Sequence, residues 1–362
     1  MVWNFHNSYT DLPNIYYSKV KPEISNDKKL ILFNKDLAEE IDLNLDNYDQ
    51  NEICDILLGN QLSNKNYFSQ AYAGHQFGHF TILGDGRALL LGEHITRNNK
   101  RLDIQLKGSG KTPYSRNGDG KAVLGPMIRE YLISEAMHNL GISSTRALAV
   151  ITTGEDVLRE RVEPGAILIR VAKSHIRVGT FQFGNLLKKR EEFDILINYT
   201  VDRLFPELIN KSNKYIKFFE KVCELQINLI TEWMRVGFIH GVMNTDNMSL
   251  SGETIDYGPC AFLDNYNPKT VFSSIDKMGR YSFENQPKIS LWNLARFAET
   301  ILHLVDSNEK KSIKIVEELL NEYNSKFILN WNIMMSKKLN LDLNNDNTKI
   351  IKDFLDIMHI HK

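Results

Sequence analysis

The hydrophobic pattern of the 362-residue chain changes its period near residue 185, and this change limits the folds that the chain can adopt. Between residues 80 and 172, short apolar runs separated by glycine-containing turns predict β-strands. Beyond residue 185, apolar residues recur every three or four positions, which predicts α-helices. This order indicates an α+β fold with a strand-rich part, a helical part and a cleft between them.

One strand is predicted with particular clarity. Arg101–Lys107 alternates strictly between polar and apolar residues, so that Leu102, Ile104 and Leu106 share one face and Asp103, Gln105 and Lys107 share the other. Lys107 stands at the end of this strand.

The remaining elements of the first half follow from turn signals. Apolar runs at 80–83 and 88–95 flank a turn that contains Asp-Gly, and we interpret them as a hairpin. Further strands are predicted at 147–152 and 166–172, and a helix at 127–140 with a proline in its first turn and a glycine after its end. In the second half, a helix with the apolar stripe Phe218, Val222, Leu225, Leu229 and Trp233 is predicted to end at Gly237.

Composition excludes several classes of function. Lys and Arg number 44 and Asp and Glu 45, so no basic surplus favours a nucleic-acid partner. The chain lacks an apolar run of about 18 residues and a leader with a basic and then an apolar region, which predicts a cytoplasmic protein without a membrane partner. Three widely separated cysteines, Cys54, Cys223 and Cys260, indicate neither a disulfide framework nor a thiolate zinc site.

Gly108-Ser-Gly-Lys-Thr112 follows a strand and looks like a phosphate-binding P-loop. The P-loop pattern requires a glycine at position 105, which is Gln105, and Pro113 stands where the phosphate-binding helix would begin. We therefore interpret residues 108–121 as a long loop.

The order of three features favours a nucleotide site of the kind that protein kinases have. Gly84-Asp-Gly-Arg87 supplies a turn whose backbone can approach phosphates, Lys107 supplies a positive charge, and a following helix carries carboxylates that could hold the lysine. Alone, the turn or the lysine would more often be structural. Of the two candidate glutamates, Glu135 lies among the apolar positions Ile128, Leu132 and Ala136, so that helical periodicity favours Glu135 over Glu130.

A second motif lies in the helical half, from His240 to Gly258. Kinase-like enzymes carry His-x-Asp, then Asn, a hairpin and Asp-Phe-Gly. Here His240 and Asn247 have that spacing, but Val242 occupies the place of the catalytic aspartate, and a carboxylate follows only at Asp246. Asn247 and Asp256 flank a predicted hairpin and offer oxygen ligands suited to Mg²⁺. The alternative interpretation is an Asn/Asp-rich turn before an ordinary hairpin.

Two arginines complete the candidate site. Arg170 ends an apolar strand and Arg177 follows shortly after it. Singly, each could be a surface charge, but together in a cleft they could clamp phosphates with their planar guanidinium groups.

With these motifs the chain resembles the selenoprotein O family of protein adenylyltransferases, which has a protein-kinase-like fold. The resemblance covers roughly residues 65 to 300. It is carried by Tyr67-Phe-Ser-Gln-Ala-Tyr-Ala-Gly-His-Gln-Phe-Gly78, Gly84-Asp-Gly-Arg87, Gln105-Leu-Lys-Gly-Ser-Gly-Lys-Thr-Pro-Tyr-Ser-Arg116, Gly118-Asp-Gly-Lys121, His240-Gly-Val-Met-Asn-Thr-Asp-Asn247 and Ile255-Asp-Tyr-Gly-Pro259.

The resemblance implies that ATP binds in a flipped orientation and that AMP is transferred to Ser, Thr or Tyr hydroxyls of proteins. Asp246 would be the proton acceptor, and Asn247 with Asp256 would hold Mg²⁺ or Mn²⁺. Against the periodicity argument, the family spacing pairs Lys107 with Glu130. The other residues that the resemblance places at ATP are Gly84, Gly86, Arg87, Asp119, Gly120, Arg170 and Arg177.

The resemblance also implies a domain organisation. Residues 1–65 are expected to be an extension packed on the core, 66–185 a strand-rich N-lobe, and 186–362 a helical C-lobe shorter than in the family. The chain shows no C-terminal cysteine or selenocysteine pair of the family's kind, so we expect no redox control through such a pair. Two alternatives remain open, an ATP-binding pseudokinase that serves as a scaffold, and an ordinary phosphotransferase, which Val242 disfavours.

Overall fold

The computed structural model describes residues 2–23, 27–60, 62 and 66–361. Residues 1, 24–26, 61 and 63–65 of the predicted N-terminal extension, and residue 362, lie outside the described residues. At its centre is an antiparallel sheet with the strand order β1-β3-β5-β6-β8-β7-β2, in which β4 also pairs with β3. The strands are β1 (Tyr17–Lys19), β2 (Lys29–Phe33), β3 (Phe68–Gln76), β4 (His79–Gly84), β5 (Ala88–Ile95), β6 (Arg101–Lys107), β7 (Arg146–Leu158) and β8 (Val162–Ala172).

Helices surround this sheet and form most of the second half. A two-stranded ladder of β9 (Phe238–Ile239) and β10 (Ala261–Phe262) lies among them. None of the helices in the described part of the chain is long and apolar enough to cross a membrane. The helices are α1 (Lys35–Glu40), α2 (Gln50–Leu57), α3 (Leu124–Asn139), α4 (Val178–Leu186), α5 (Arg190–Leu204), α6 (Lys214–Arg235), α7 (Gln286–Val305), α8 (Glu309–Lys338) and α9 (Thr348–Ile360).

The alternation predicted for β6 is confirmed, and so are the bounds of this strand. Ile104 and Leu106 are fully buried in an apolar core that includes residues of α1 and α2. Because side chains alternate along a strand, Gln105 and Lys107 lie on the opposite face. Both are buried as well, so β6 holds polar groups inside the molecule, where they require partners.

The hairpin predicted across residues 80–95 is wrong. β4 and β5 both pair with β3, and the tight turn joins β3 to β4 through Phe77 and Gly78, both of which have positive φ. The cause is Asp85, whose backbone N–H donates to the Gln70 carbonyl at 2.9 Å while its carboxylate accepts the Gln70 N–H at 3.1 Å. These two bonds fix the Gly84–Arg87 turn to β3.

The helix predicted at 127–140 is confirmed as α3, but its apolar stripe was misassigned. The buried residues of α3 are Met127, Glu130, Ser134 and Met137, whereas Leu132 is 58% exposed. The helix therefore turns Glu130 inward. The stripe predicted for α6 is confirmed, with Phe218, Val222, Leu229 and Trp233 buried and Leu225 partly buried.

The helical part begins earlier than the sequence pattern indicates. α4 starts at Val178, and Phe181 within it makes edge-to-face contacts with Phe193 and Phe297 in a second core. α4 also packs against β3, so that Gly179 lies directly against the Ala73 carbonyl. The end of the sheet and the first helix of the second half thus meet at one place.

Candidate active site

A cleft of about 450 Å³ lies where the sheet meets the helical part. Arg and Lys side chains number seven in its described lining and Asp side chains four, which suits a polyphosphate ligand. Glu130 lies beneath the lining, in contact with two of its residues. The structure therefore brings together the predicted site residues Gly84, Gly86, Arg87, Lys107, Asp119, Gly120, Arg170, Arg177, Asp246, Asn247 and Asp256.

Four charged groups form a buried network at the base of the cleft. Lys107 Nζ donates to Glu130 Oε2 at 2.6 Å and to Asp256 Oδ1 at 2.5 Å. Arg170 donates to Glu130 Oε1 through Nε at 3.0 Å and also through Nη2, and its Nη1 donates to Gln105 Oε1 at 3.0 Å. Burial acts to raise the pKa of Glu130, but Arg170 and Lys107 outweigh it and lower the pKa below its usual value. Each charge is thus held in one position by a partner.

The pairing of Lys107 with Glu130 decides between the two candidate glutamates. Glu135 instead accepts hydrogen bonds from Arg146 Nε at 2.9 Å and Nη2 at 2.7 Å, and from the Ala147 backbone N–H at 2.9 Å. Helical periodicity favoured Glu135, but the partner of Glu135 is Arg146, which is not part of the cleft lining. The family spacing was the better guide.

Asp256 stands in an uncommon backbone conformation. Its φ is 60°, in the left-handed region, which costs a residue other than glycine about 1 kcal/mol or more. Burial acts to raise the pKa of Asp256, but Lys107 and Arg170 outweigh it and hold the pKa well below its usual range. The side chain is still one-third exposed, at 33%, so a permanent negative charge faces the cleft.

Asp246 is the most unusual carboxylate of the cleft. It is 7% exposed, and its Oδ1 has no hydrogen-bond partner among the described residues. Two glycines, Gly74 of β3 and Gly179 of α4, pack closely against Asp246. A Cβ atom at Gly74 would collide with its carboxylate. Burial raises the pKa of Asp246 to about 6, although Arg177 acts in the opposite direction. A buried group with this pKa can both accept and release a proton near neutral pH.

Arg177 is positioned from several sides. Its guanidinium lies over the Tyr72 ring, 4.3 Å from the centroid, and Nη1 donates to the Asp246 backbone carbonyl at 3.2 Å. Nη2 lies 3.8 Å from Asp85 Oδ1 but has no hydrogen-bond partner among the described residues. The Nη2 group of Arg177 is therefore buried and still free to donate hydrogen bonds.

Residues 108–121 form a loop, as predicted, and this loop packs on the glycine turn. A Cβ atom at Gly84 would collide with the Tyr114 ring, and one at Gly86 would lie 2.8 Å from the Tyr114 carbonyl. Ser115 Oγ donates to the Gly86 carbonyl at 2.5 Å. The glycines of the turn thus admit a second loop, which closes one side of the cleft.

Asp119 stands on the same loop, at the rim of the cleft. It accepts hydrogen bonds from Arg159 at 2.8 and 3.0 Å, and these bonds lower its pKa to about 2. Asp119 therefore remains charged throughout the physiological range.

The ligand set for a divalent cation is small but chemically suitable. Asn247 Nδ2 donates to the Val242 carbonyl at 3.1 Å, and no described residue donates to its amide oxygen. Mg²⁺ is commonly bound through one or two protein oxygen ligands plus substrate phosphates. Asn247 and Asp256 fit that requirement, although the described residues contain no cluster of three or more His, Cys, Asp or Glu arranged to hold a metal.

The segment between Asn247 and Asp256 is not the predicted hairpin. Ser249 forms an isolated bridge with Arg177, and Thr254 forms another with Ser144. The two sides of this segment are thus paired with the backbones of two other parts of the chain, which lie beside them, and not with each other. The loop still places both oxygen ligands on the lining of the cleft.

Sequence reasoning missed three contributors to the site. Gln105 holds Arg170, Asp85 faces Arg177, and Tyr72 stacks on Arg177. Gln105 could have been found, because the alternation of β6 places it on the same face as Lys107. Asp85 and Tyr72 carried no local signal beyond a turn residue and a strand aromatic.

The chain matches a known protein family along its whole length. The family model described as protein adenylyltransferase SelO matches residues 1–362. The protein nucleotidyltransferase YdiU of Pelagibacter ubique is 55% identical over 340 residues, which are 94% of this chain and 70% of that protein. The proteins of the same name from Halalkalibacterium halodurans and Brevibacillus brevis are 55% and 54% identical, each over 99% of this chain and 74% of their own length. The chain therefore belongs to the SelO family of protein adenylyltransferases.

Proposed function

We propose that the cleft binds ATP and transfers AMP to Ser, Thr or Tyr hydroxyls of other proteins. The observation that carries this proposal is Asp246, a buried carboxylate with an unpartnered oxygen on the lining of a cationic cleft. The place that spacing assigns to the aspartate of a phosphotransferase holds Val242, which cannot accept a proton. Membership of the family supports the same activity.

The cations of the cleft favour the phosphates of ATP as the bound group. Lys107 and Arg170 are fixed by Glu130 before any ligand arrives, and Arg177 is fixed by Tyr72 and by the Asp246 carbonyl. Groups that are already oriented stabilise developing charge without a cost of reorganisation. We assign these three side chains to stabilising the phosphates as pyrophosphate leaves.

Asp246 is proposed to take the proton of the acceptor hydroxyl. The hydroxyl oxygen then bonds to the α-phosphorus of ATP, the bond from that phosphorus to the bridging oxygen breaks, and pyrophosphate leaves with the electron pair. A base with a pKa of about 6 is largely unprotonated at neutral pH, as this step requires.

Asn247 and Asp256 are proposed to hold Mg²⁺ or Mn²⁺. Such an ion, when bound, would neutralise phosphate charge that the cleft's own cations leave unmatched. Asp256 is suited to this role because its pKa lies well below the usual range and its side chain remains partly exposed.

We also propose that the fold is of the two-lobed protein-kinase kind, with residues 66–185 as the N-lobe, 186–362 as the C-lobe, α4 joining the two at their boundary, and 1–65 packed on the first. The buried Lys107–Glu130 pair between strand and helix supports this assignment, as does the position of Asn247 and Asp256, the proposed cation ligands, on the lining of the same cleft. The three cysteines are free, which suits the reducing cytoplasm. Because the chain has a net charge of −1, we propose that its partners are proteins rather than nucleic acids or membranes.

ATP labelled at either the α or the γ phosphate tests the activity. The protein is incubated with Mg²⁺ or Mn²⁺ and a hydroxyl-rich acceptor such as casein, with Asp246→Asn and a chelator-treated sample as controls. We expect protein-bound label from the α position alone, and none in either control. Label from the γ position would indicate a phosphotransferase, and ATP binding without any transfer would indicate a scaffold.

A further inference from the structure

A cluster of stacked arginines borders the candidate base on the side of the β3–β4 turn. Arg280 lies over the Trp292 ring at 4.7 Å from its centroid, and Arg296 lies over the same ring at 5.3 Å. We call Arg280, Trp292 and Arg296 the Trp292 platform. Neither the nucleotide site nor the buried charge network uses these residues.

The platform is connected to Asp246 through short contacts. The His75 backbone N–H donates to Thr245 Oγ1 at 2.7 Å, and the His75 ring meets Trp292 edge-on at 5.1 Å. From the other side, Tyr281, the neighbour of Arg280, donates through its hydroxyl to Asn244 Oδ1 at 2.7 Å. His75 on one side and Tyr281 on the other therefore connect the platform to residues 244–246, the segment that carries the candidate base.

Arg280 forms no side-chain ion pair within the described part of the chain. Its guanidinium is stacked on aromatic rings, and its Nε is buried without a hydrogen-bond partner. The neighbouring carboxylate, Asp276, is already occupied by the backbone N–H groups of Arg280 at 2.9 Å and Tyr281 at 2.8 Å. Arg296 is paired with Glu299 at 2.6 Å, but its Nε is also buried without a partner.

Exposed apolar side chains occur on β4, whose Phe80 contacts His75, and in the loop that precedes Arg280. Phe80, whose ring meets His75 at 5.1 Å, is 43% exposed, and Ile82 on the same strand is 57% exposed. In the loop that precedes Arg280, Met278 is 93% exposed and Ile275 is 69% exposed. A cationic surface with an apolar border fits a polypeptide segment better than it fits a second small anion.

We propose that the Trp292 platform binds an acidic side chain of the protein substrate, so that the enzyme prefers hydroxyls with Asp or Glu nearby in the same segment. This inference rests on the proposed function for the identity of the bound protein. A guanidinium fixed by stacking offers its planar fork to a carboxylate with little loss of side-chain entropy. The partner is therefore an acidic polypeptide, and the platform determines specificity without taking part in the chemistry.

The test uses two peptides that share one acceptor tyrosine and differ only in having Asp or Lys on both sides of it. Both kcat/KM for AMP transfer and Kd from fluorescence anisotropy are measured with the full chain. We expect the wild type to prefer the acidic peptide by about tenfold in both quantities, which lies between the effect of an exposed ion pair and that of a buried charge-assisted hydrogen bond. Arg280→Glu should reverse this preference, while Arg280→Lys should retain part of it.

Arg97→Glu is the matched control, since Arg97 is 81% exposed and is not part of the cleft lining. ATP binding should be unchanged in every variant. If Arg280→Glu does not fold, Arg296→Gln provides a second variant and should weaken the preference.

Equal use and equal binding of the two peptides by the wild type would overturn the inference, as would a preference that survives Arg280→Glu. Because the anisotropy measurement requires no turnover, the two proposals can fail separately. Acidic-peptide binding that depends on Arg280 without any AMP transfer would contradict the proposed function alone. Transfer without a charge preference would contradict only this inference.

Discussion

Replacing Glu130 by glutamine removes one negative charge from the buried network while keeping the size of the side chain. In the wild type, Glu130 is 2% exposed and accepts hydrogen bonds from both Lys107 and Arg170. After the substitution, these two cations share Asp256 alone. Breaking a buried ion pair costs about 3–5 kcal/mol, and the hydrogen bonds that glutamine can keep place our expectation at about 3 kcal/mol.

Stability and activity should respond by different amounts. A loss of about 3 kcal/mol in the free energy of unfolding should lower Tm by roughly 4 °C for a chain of this length, a shift that calorimetry can measure. Lys107 also loses the charge that orients it towards the phosphates, and a misplaced catalytic group costs about a hundredfold in rate. We therefore expect kcat for AMP transfer to fall by about that factor in a variant that is still folded at 25 °C.

The pH dependence of the stability provides a second signature. The pKa of Glu130 in the folded protein is lowered, so its charged form contributes stability above the ordinary value of about 4.5, and this contribution is lost as the pH falls. The stability difference between the wild type and Glu130→Gln should be full at pH 7 and should shrink below about pH 4.5.

Glu135→Gln is the matched control, because Glu135 lies on the same helix and is bonded to Arg146 instead. It should reduce stability but change kcat by less than about twofold, since its partner does not line the cleft. Full activity in Glu130→Gln, or an equal loss of activity in both variants, would refute the assignment of Glu130.

Two further predictions concern single groups near the cleft. Because the pKa of Asp246 is raised to about 6 and the base must be unprotonated, kcat should fall as the pH drops through 6, and a flat profile between pH 5 and 8 would contradict its role. Because burial raises the pKa of Cys260 to about 12, little thiolate forms at neutral pH, and activity should differ by about twofold or less between reducing and mildly oxidising buffer. Strong oxidant inhibition that Cys260→Ser relieves would show that this cysteine is a redox switch.

Local periodicity correctly predicted the elements in which the apolar residues of the element itself decide which face is buried. The alternation of β6 fixed the position of Lys107, and the stripe of α6 identified the face that joins the core, because in both cases apolar residues alone decide which side is buried. The position of Glu130 could not be found in this way. Its burial depends on Lys107 and Arg170, which come from distant strands and are invisible in the sequence of α3.

The predicted pairing of the strands at 80–83 and 88–95 was wrong for a related reason. The turn at Gly84 contains the signal of a hairpin, yet Asp85 bonds to Gln70 and draws the turn to an earlier strand. Within the candidate site, the resemblance to the family supplied Asp119, Gly120 and the role proposed for Asp246, which spacing and composition do not reveal. Neither approach indicated Arg280, because a stacked arginine in a loop leaves no periodic pattern.

The backbone of β3 reaches across the cleft and has consequences for motion. His75 donates to Thr245 Oγ1 at 2.7 Å, Phe77 donates to Asn244 Oδ1 at 3.1 Å, and Gly74 lies against the Asp246 side chain. Rotation of the sheet away from the helices as a rigid body would break both hydrogen bonds and separate Gly74 from the Asp246 side chain. A wide opening at this edge for nucleotide entry would therefore have to break these contacts first, and the 108–121 loop is itself held to the glycine turn by the Ser115–Gly86 hydrogen bond.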